Sequence, residues 1–237
     1  MRSLVLGNGS FLVTLDGAGE VRDLYFPHVG LENHAGGELR HRLGIYIDGR
    51  ISWLASDPGW RIRVECAEDS LESRVSAEHD ALGISLSFKD IVYNESDIFL
   101  REVLVKELGG RARSAKLFFG QEFEISRAPG GDTAYYDPAT GSIIHYKGPR
   151  AFLINGRHGE TPFDDYAIGL FGVEGKDGAW RDAEDGVLSK NAIEHGSVDS
   201  IIGFSLSLAA HGEETVRYWL AAGDSVDHAP RLTAHVL

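Results

Sequence analysis

Short runs in which apolar and polar residues alternate dominate this chain. Residues 83–88 read Gly-Ile-Ser-Leu-Ser-Phe, a pattern typical of a β-strand with one face on a core and one in water. Similar runs come in pairs with turn residues such as Asp, Gly and His between them, and such pairs predict hairpins. The predicted pairs are 11–15 with 21–25, 43–47 with 51–54, and 70–77 with 83–88.

Two longer runs, residues 98–108 and 112–125, are joined at Gly109-Gly110, and each contains a stretch that is apolar on both faces, 103–105 and 117–119. We expect them to be the two longest strands and to lie centrally, covered from both sides. Five further strands are predicted at 142–146, 151–155, 165–171, 201–208 and 214–220. No helical apolar period exceeds two turns before residue 223, so the pattern predicts an all-β antiparallel sandwich or barrel.

The chain changes character after residue 223. Residues 224–227 resemble a helix cap, but Pro230 would then lie too deep inside the helix. We therefore expect a helix that begins at Pro230 and runs to residue 237. The predicted organisation is a β-sandwich domain over residues 1–223 and the start of a linker over residues 224–237.

Composition narrows the function classes. The 237 residues are 43% hydrophobic and carry a formal net charge of −13, which disfavours nucleic acid and anionic membranes as partners. Residues 1–7 contain only three consecutive apolar positions, and no run suits a membrane span, so we expect a cytoplasmic protein. The single cysteine, Cys66, lies in an alternating run and is expected to be a buried free thiol.

Few residues form a pattern that would support catalysis. Glu184 and Asp185 are adjacent, so on a strand they would point to opposite faces and could not act as a glycosidase pair; we interpret them as a charged turn. A nucleophile-elbow motif is absent, and Gly7-Asn8-Gly9 is too short for a phosphate loop. A group with metal-ligating side chains lacks the close spacing of known metal sites, so we expect no metal and no cofactor: His28, Glu32, His34, Glu38 and His41.

Two clusters combine aromatic rings with polar side chains. Sugars bind through CH faces stacked on rings and through planar polar groups around their hydroxyls. The first cluster follows a predicted strand and is our main candidate surface: Tyr25, Phe26, His28, Glu32 and Asn33. The second cluster is the secondary candidate: Tyr135, Tyr136 and His145. These residues could close the rim of the sandwich, bind a sugar, or pack on another domain.

Seven segments together resemble the N-terminal domain of the prokaryotic glucoamylase-like enzymes of glycoside hydrolase family 15. We refer to them below as the family-like segments. They are residues 7–16 (GNGSFLVTLD), 22–34 (RDLYFPHVGLENH), 131–137 (GDTAYYD), 144–148 (IHYKG), 179–186 (AWRDAEDG), 196–200 (GSVDS) and 218–223 (YWLAAG). The resemblance extends over essentially the whole chain.

The resemblance implies a large two-sheet antiparallel supersandwich with galactose mutarotase-like architecture. In that family a linker helix and a helical α/α toroid follow, and the toroid carries the two glutamates that hydrolyse α-glucosidic bonds with inversion. This chain has no counterpart of the family's catalytic motifs, so no catalytic residue is carried over. The resemblance further implies that the first loops face the catalytic domain and line its cleft, which makes residues 25–33 the expected docking surface.

Three functions are therefore compatible with the sequence. The first is a non-catalytic domain of a glucoamylase-, α-glucosidase- or trehalase-type hydrolase, with the helical catalytic domain as its partner. The second is a free-standing carbohydrate-binding module whose ligand is an α-glucan oligosaccharide. The third is a sugar epimerase of the mutarotase kind, which needs a His and a Glu at one ring carbon and for which fold analogy alone is insufficient.

Overall fold

A computed structural model describes residues 4–233 and Val236. Residues 1–3, part of the N-terminal run that lacks the pattern of a signal sequence, and the predicted helix end at residue 237 lie outside the described residues. The described strands are β1 (Leu4–Gly7), β2 (Leu12–Leu15), β3 (Val21–Tyr25), β4 (His41–Ile47), β5 (Arg50–Trp53), β6 (Trp60–Cys66), β7 (Ser73–His79), β8 (Ile84–Val92), β9 (Ile98–Glu107), β10 (Arg113–Glu122), β11 (Asp132–Asp137), β12 (Ser142–Lys147), β13 (Arg150–His158), β14 (Thr161–Pro162), β15 (Asp165–Val173), β16 (Lys176–Asp177), β17 (Ile193–Gly196), β18 (Val198–Leu208) and β19 (Glu213–Gly223).

Within the described ranges these strands form two antiparallel sheets. The first has nine strands in the order β1-β2-β3-β4-β10-β18-β15-β16, with β5 paired to β4. The second has ten strands in the order β17-β11-β12-β13-β19-β9-β8-β7-β6, with β14 paired to β13. The predicted all-β, two-sheet antiparallel supersandwich is confirmed.

Alternation places one face of each sheet on a shared core. In β7 and β8 every second side chain is buried, from Val75 and Ala77 to Leu86 and Phe88. The three predicted hairpins are confirmed, because β2 pairs with β3, β4 with β5, and β7 with β8. The core between the sheets includes stacked rings, among them Phe123 on Phe152 at 5.0 Å between centroids.

Strands β9 and β10 are central, as predicted, but they are not the two longest strands. The longest strands are β18 and β19, with 11 residues each, against 10 each for β9 and β10. The chain also crosses from one sheet to the other at Gly109-Gly110. The buried Glu107 carboxylate accepts the N–H groups of Gly109 and Gly110, both at 2.8 Å, and so folds the backbone back on itself.

Each sheet also has a covered apolar patch on its outer face. On the first sheet a 3₁₀ helix, Ala179–Asp185, packs near Trp53 and Phe118. On the second sheet helix α1 (His228–Thr233) packs on Leu153, Trp219 and Ala221. The family-like segment 179–186 is therefore a short helix on the first sheet.

The helix α1 begins at His228, two residues before the predicted start. Ser225 is the reason: its Oγ and its carbonyl oxygen both accept the His228 N–H, at 3.1 Å each. Pro230 is tolerated in the first helical turn, where backbone N–H groups have no partner within the helix. Among residues 4–233, no helix combines the length and the apolarity that crossing a membrane would require.

Cys66 is exposed, so the expectation of a buried thiol was wrong. It is the last residue of β6, the edge strand of the second sheet, whose alternation ends in two exposed positions. Its Sγ lies 3.7 Å from the Ser70 carbonyl oxygen within the following turn. The alternation of apolar and polar residues correctly predicted strand β6. At the edge of the sheet, however, Cys66 stays uncovered, although it lies on the inward parity.

Candidate functional site

The main candidate surface is the loop that leaves β3 at Tyr25 and returns toward β4. A tight turn forms its tip, since the N–H groups of Leu31 and Glu32 both donate to the His28 carbonyl at 3.0 Å. The neck is closed by the Phe26 N–H, which donates to the Glu32 carbonyl at 3.1 Å. The Phe26-Pro27 peptide bond is cis. The loop is thus a compact, hydrogen-bonded protrusion at one end of the sandwich.

Asn33 holds the neck of this loop from inside. Its side-chain oxygen accepts the N–H groups of Leu24 and Ala35, at 3.0 and 3.2 Å, and its amide nitrogen donates to Asp23 at 2.9 Å. Asn33 is 1% exposed. It satisfies backbone groups that would otherwise be buried without partners, which is a scaffold role.

Phe26 and His34 anchor the loop to the core. Phe26 is buried between Phe11 and Phe152, each 6.3 Å away between ring centroids. His34 donates from Nε2 to the Phe26 carbonyl at 2.6 Å and accepts the Ser126 N–H at Nδ1, so both ring nitrogens are used. Burial lowers the pKa of His34, and the imidazole is therefore a neutral structural group.

Glu32 is fixed by a pair of hydrogen bonds from the other sheet. The Arg150 guanidinium donates through Nε to one carboxylate oxygen at 2.8 Å and through a terminal nitrogen to the other at 3.0 Å. These bonds lower the pKa of Glu32. His28 lies at the edge of this pair, with its Nε2 3.8 Å from the carboxylate.

The tip of the loop presents apolar side chains to solvent. Leu31 is 80% exposed and Val29 39%, beside the exposed His28. Of the five predicted residues, His28 is exposed, Tyr25 and Glu32 are half-buried, and Phe26 and Asn33 point inward. Val29 and Leu31 lie inside the predicted docking surface, residues 25–33, but are not among its five named candidates, which were chosen for aromatic and polar side chains.

The three residues of the secondary candidate do not form one surface. Tyr136 faces the core and stacks on Tyr166 at 4.4 Å, while Tyr135 faces outward and meets Tyr146 edge-on. Neighbours on a strand point to opposite faces, which separates the two tyrosines. His145 is completely buried; its Nε2 donates to Ser200 Oγ at 2.8 Å, and burial lowers its pKa to about 3.

The remaining candidate chemistry is likewise structural. Glu184 pairs with Arg181 at 2.7 Å, and Asp185 accepts the Val187 N–H. His41, from the set considered for a metal, is buried and bonds the Glu122 carbonyl. Throughout the described residues, no group of three or more His, Cys, Asp or Glu side chains could hold a metal ion.

Sequence reasoning missed the charged groups inside the core. Arg101 donates two hydrogen bonds to Asp90, at 2.6 and 2.8 Å, and a third to the Gly19 carbonyl. Glu20 is 2% exposed, and burial, with the nearby Asp16, raises its pKa to about 7. Strand alternation was a signal for two of them, because Asp90 and Arg101 fall on the inward parity of β8 and β9. Glu20 lies between β2 and β3, where alternation gives no signal.

Polar residues of the family-like segments mainly brace loops. Asn8 Nδ2 donates to the carbonyls of Tyr93 and Ser96, and Asp132 accepts the Ile125 N–H at 2.9 Å. Asp199 accepts the N–H of Ala179, the first residue of the 3₁₀ helix, at 2.6 Å. These segments hold the architecture and supply no assembled set of reacting groups.

Known proteins resemble this chain in sequence and in fold. An uncharacterised glycosyl hydrolase of Methanocaldococcus jannaschii is 27% identical over 205 residues, which are 86% of this chain and 31% of that protein. A bacterial glucoamylase solved with acarbose superposes with a TM-score of 0.76 at 13% identity, over 97% of this chain and 32% of that one. No protein-family profile matches the chain.

A protein of Escherichia coli K12 assigned as an aldose 1-epimerase superposes with a TM-score of 0.54 at 10% identity, over 93% of this chain and 98% of that one. Its likeness confirms the mutarotase-like architecture. The chain spans about a third of the length of the curated relative that it matches, 31%. It is a glycoside hydrolase-like β-sandwich with the fold of the glucoamylase sandwich.

Proposed function

We propose that this chain is a non-catalytic domain of a glycoside hydrolase 15-type enzyme that cleaves α-glucosidic bonds, and that its 26–33 loop docks on a helical catalytic domain. The observation that carries the proposal is the tip of that loop. Leu31 is 80% exposed although hydrogen bonds and the Arg150 pair hold its loop in place. Apolar side chains held rigid in water are typical of interfaces.

The chemistry of the described residues supports a non-catalytic role. An inverting glycosidase needs an accessible acid and an accessible base, about 6.5–9.5 Å apart. The five residues of the candidate surface include one carboxylate, Glu32, and Arg150 binds both of its oxygens. The partner domain supplies the two carboxylates in this proposal.

To test docking, this chain and the catalytic domain of the parent enzyme are produced as separate proteins, and one is titrated with the other in a calorimeter. Leu31→Asp should weaken association at least about tenfold, because a charge would be buried at the centre of the contact. Val187→Asp is the matched control, since Val187 is 61% exposed on the outer side of the first sheet. Equal affinities of the Leu31→Asp and wild-type chains would contradict docking through this loop.

The epimerase alternative requires an acid and a base at one ring carbon. Within the candidate surface, His28 and Glu32 provide the accessible pair, 3.8 Å apart. The Arg150 bonds lower the pKa of Glu32 and make its carboxylate a weak base. We expect no acceleration of α-glucose mutarotation in a polarimeter; a clear acceleration would favour the epimerase.

A further inference from the structure

A groove of about 480 Å³ lies on the outer face of the second sheet, across β8, β9 and β19. Its size falls within the range of small-molecule sites, roughly 300–1,000 Å³. The strand register arranges its side chains in two rows. Ile91 lies opposite Leu100 in the apolar row, and Glu102 lies between Lys89 and Arg217 in the charged row.

The apolar row forms one wall of a surface suited to stacking. Ile91 and Leu100 line the groove together with Ile98 and Val236. Tyr93, on the loop between β8 and β9, adds an aromatic ring and is 38% exposed. A flat ligand with CH groups on one face would cover this wall.

The charged row suits a neutral ligand with many hydroxyls. Arg217 donates to Glu102 at 2.9 Å, so planar donors and acceptors are held in place. The Lys89 ammonium makes no ion pair or hydrogen bond to any described residue, which leaves its donors free for a ligand. The accessible lining charges, Lys89 and Arg217 against Glu72 and Glu102, sum to zero. The groove therefore attracts neither anions nor cations strongly.

The Tyr93 backbone is held in position by a distant segment. Asn8 Nδ2 donates to the Tyr93 carbonyl at 3.0 Å and to the Asp97 carboxylate at 3.1 Å. The Tyr93 N–H donates to the Ile98 carbonyl at 2.8 Å. A loop fixed in this way loses little freedom when a ligand binds, which favours affinity.

We propose that this groove binds a neutral oligosaccharide. One pyranose face contacts Tyr93 and Leu100, and its hydroxyls hydrogen-bond Lys89 and Glu102. An apolar helix bound in this groove would cover the charged row without offering it hydrogen-bond partners, whereas the hydroxyls of a sugar offer them. The site is separate from the exposed tip of the 26–33 loop and does not require a catalytic domain, so it goes beyond the function proposed above.

The test titrates the ¹⁵N-labelled chain with maltotriose, isomaltotriose and tri-galacturonic acid and follows amide shifts by NMR. We expect saturable shifts around Tyr93 and Leu100 with the neutral sugars, with a dissociation constant on the order of 1 mM. Tyr93→Ala should weaken binding about tenfold, and Tyr93→Phe should retain it. Lys89→Met should weaken binding several-fold, whereas Lys106→Met, an exposed lysine further along β9, should not.

Asn8→Ala provides a variant in which no groove side chain is substituted. It should weaken sugar binding several-fold and increase the mobility of the Tyr93 amide. Saturable binding of the acidic trisaccharide alone would overturn the ligand class. The absence of shifts with both neutral sugars at about 50 mM, or unchanged affinity in both Tyr93→Ala and Lys89→Met, would overturn the site. None of these outcomes affects the calorimetric docking test, which depends on Leu31.

Discussion

Arg150 donates two hydrogen bonds to Glu32, at 2.8 and 3.0 Å, across 118 residues of sequence. Glu32 follows β3 in the first sheet, and Arg150 begins β13 in the second. This pair therefore connects the two sheets at the end of the sandwich where the loop with the exposed Leu31 lies. The planar guanidinium matches both carboxylate oxygens, which a lysine ammonium cannot do.

Arg150→Lys should loosen the 26–33 loop. The loss of the bidentate geometry should cost about 0.5–1 kcal/mol of unfolding free energy, since the pair is partly solvated. Hydrogen exchange at the Leu31 and Glu32 amides should quicken, and mass spectrometry of the loop peptide measures this. Arg63→Lys, at an exposed ion pair with Glu65, is the control. Unchanged exchange in Arg150→Lys would show that the turn at His28 fixes the loop without the ion pair.

Removal of one partner of the Arg101–Asp90 pair should destabilise the fold strongly. Asp90 is 0% and Arg101 4% exposed, so Asp90→Asn leaves a buried cation without its counterion. We expect a cost of about 3–5 kcal/mol in urea unfolding. The double variant Asp90→Leu with Arg101→Met should cost clearly less than the two single changes together. Additive costs would mean that the two charges are not coupled.

Glu20→Gln should change how stability depends on pH. The folded-state pKa of Glu20 is raised from 4.5 to about 7, so its contribution to stability is fully present below pH 4.5 and is lost as pH rises to about 7. The glutamine variant lacks this loss. Relative to wild type it should gain about 2 kcal/mol between pH 5 and pH 8, measured by denaturant unfolding. A difference that stays constant over that pH range would show that Glu20 is not protonated in the fold.

His145→Gln should reduce sensitivity to acid. The folded-state pKa of His145 is lowered from 6.5 to about 3, so the unfolded chain binds a proton first, and stability falls as pH drops through 6.5. The amide of glutamine can still donate to Ser200. Between pH 7 and pH 4.5 wild type should lose about 2 kcal/mol more than the variant. Parallel pH curves for the two proteins would contradict a neutral buried imidazole.

Local alternation was sufficient to predict many of the strands. The run at 83–88 and its partner gave β8 and β7, because inward and outward positions alternate regardless of what covers them. The same rule could not assign β9 and β10 to different sheets. At that crossing the buried Glu107 carboxylate accepts the N–H groups of Gly109 and Gly110. Strand parity places Glu107 inward, but it does not predict which backbone groups the carboxylate binds.

The candidate site shows the same division. The sequence alone marked residues 25–33 as a polar and aromatic protrusion, since this run of residues begins at the end of a predicted strand. Only the tertiary structure decided that Asn33 and Phe26 point inward while Leu31 faces water. A loop has no side-chain period, so the direction of each residue is set by distant partners such as Arg150. The sequence thus determined many of the strands and three of their hairpins, and long-range contacts determined which side chains a ligand or partner can reach.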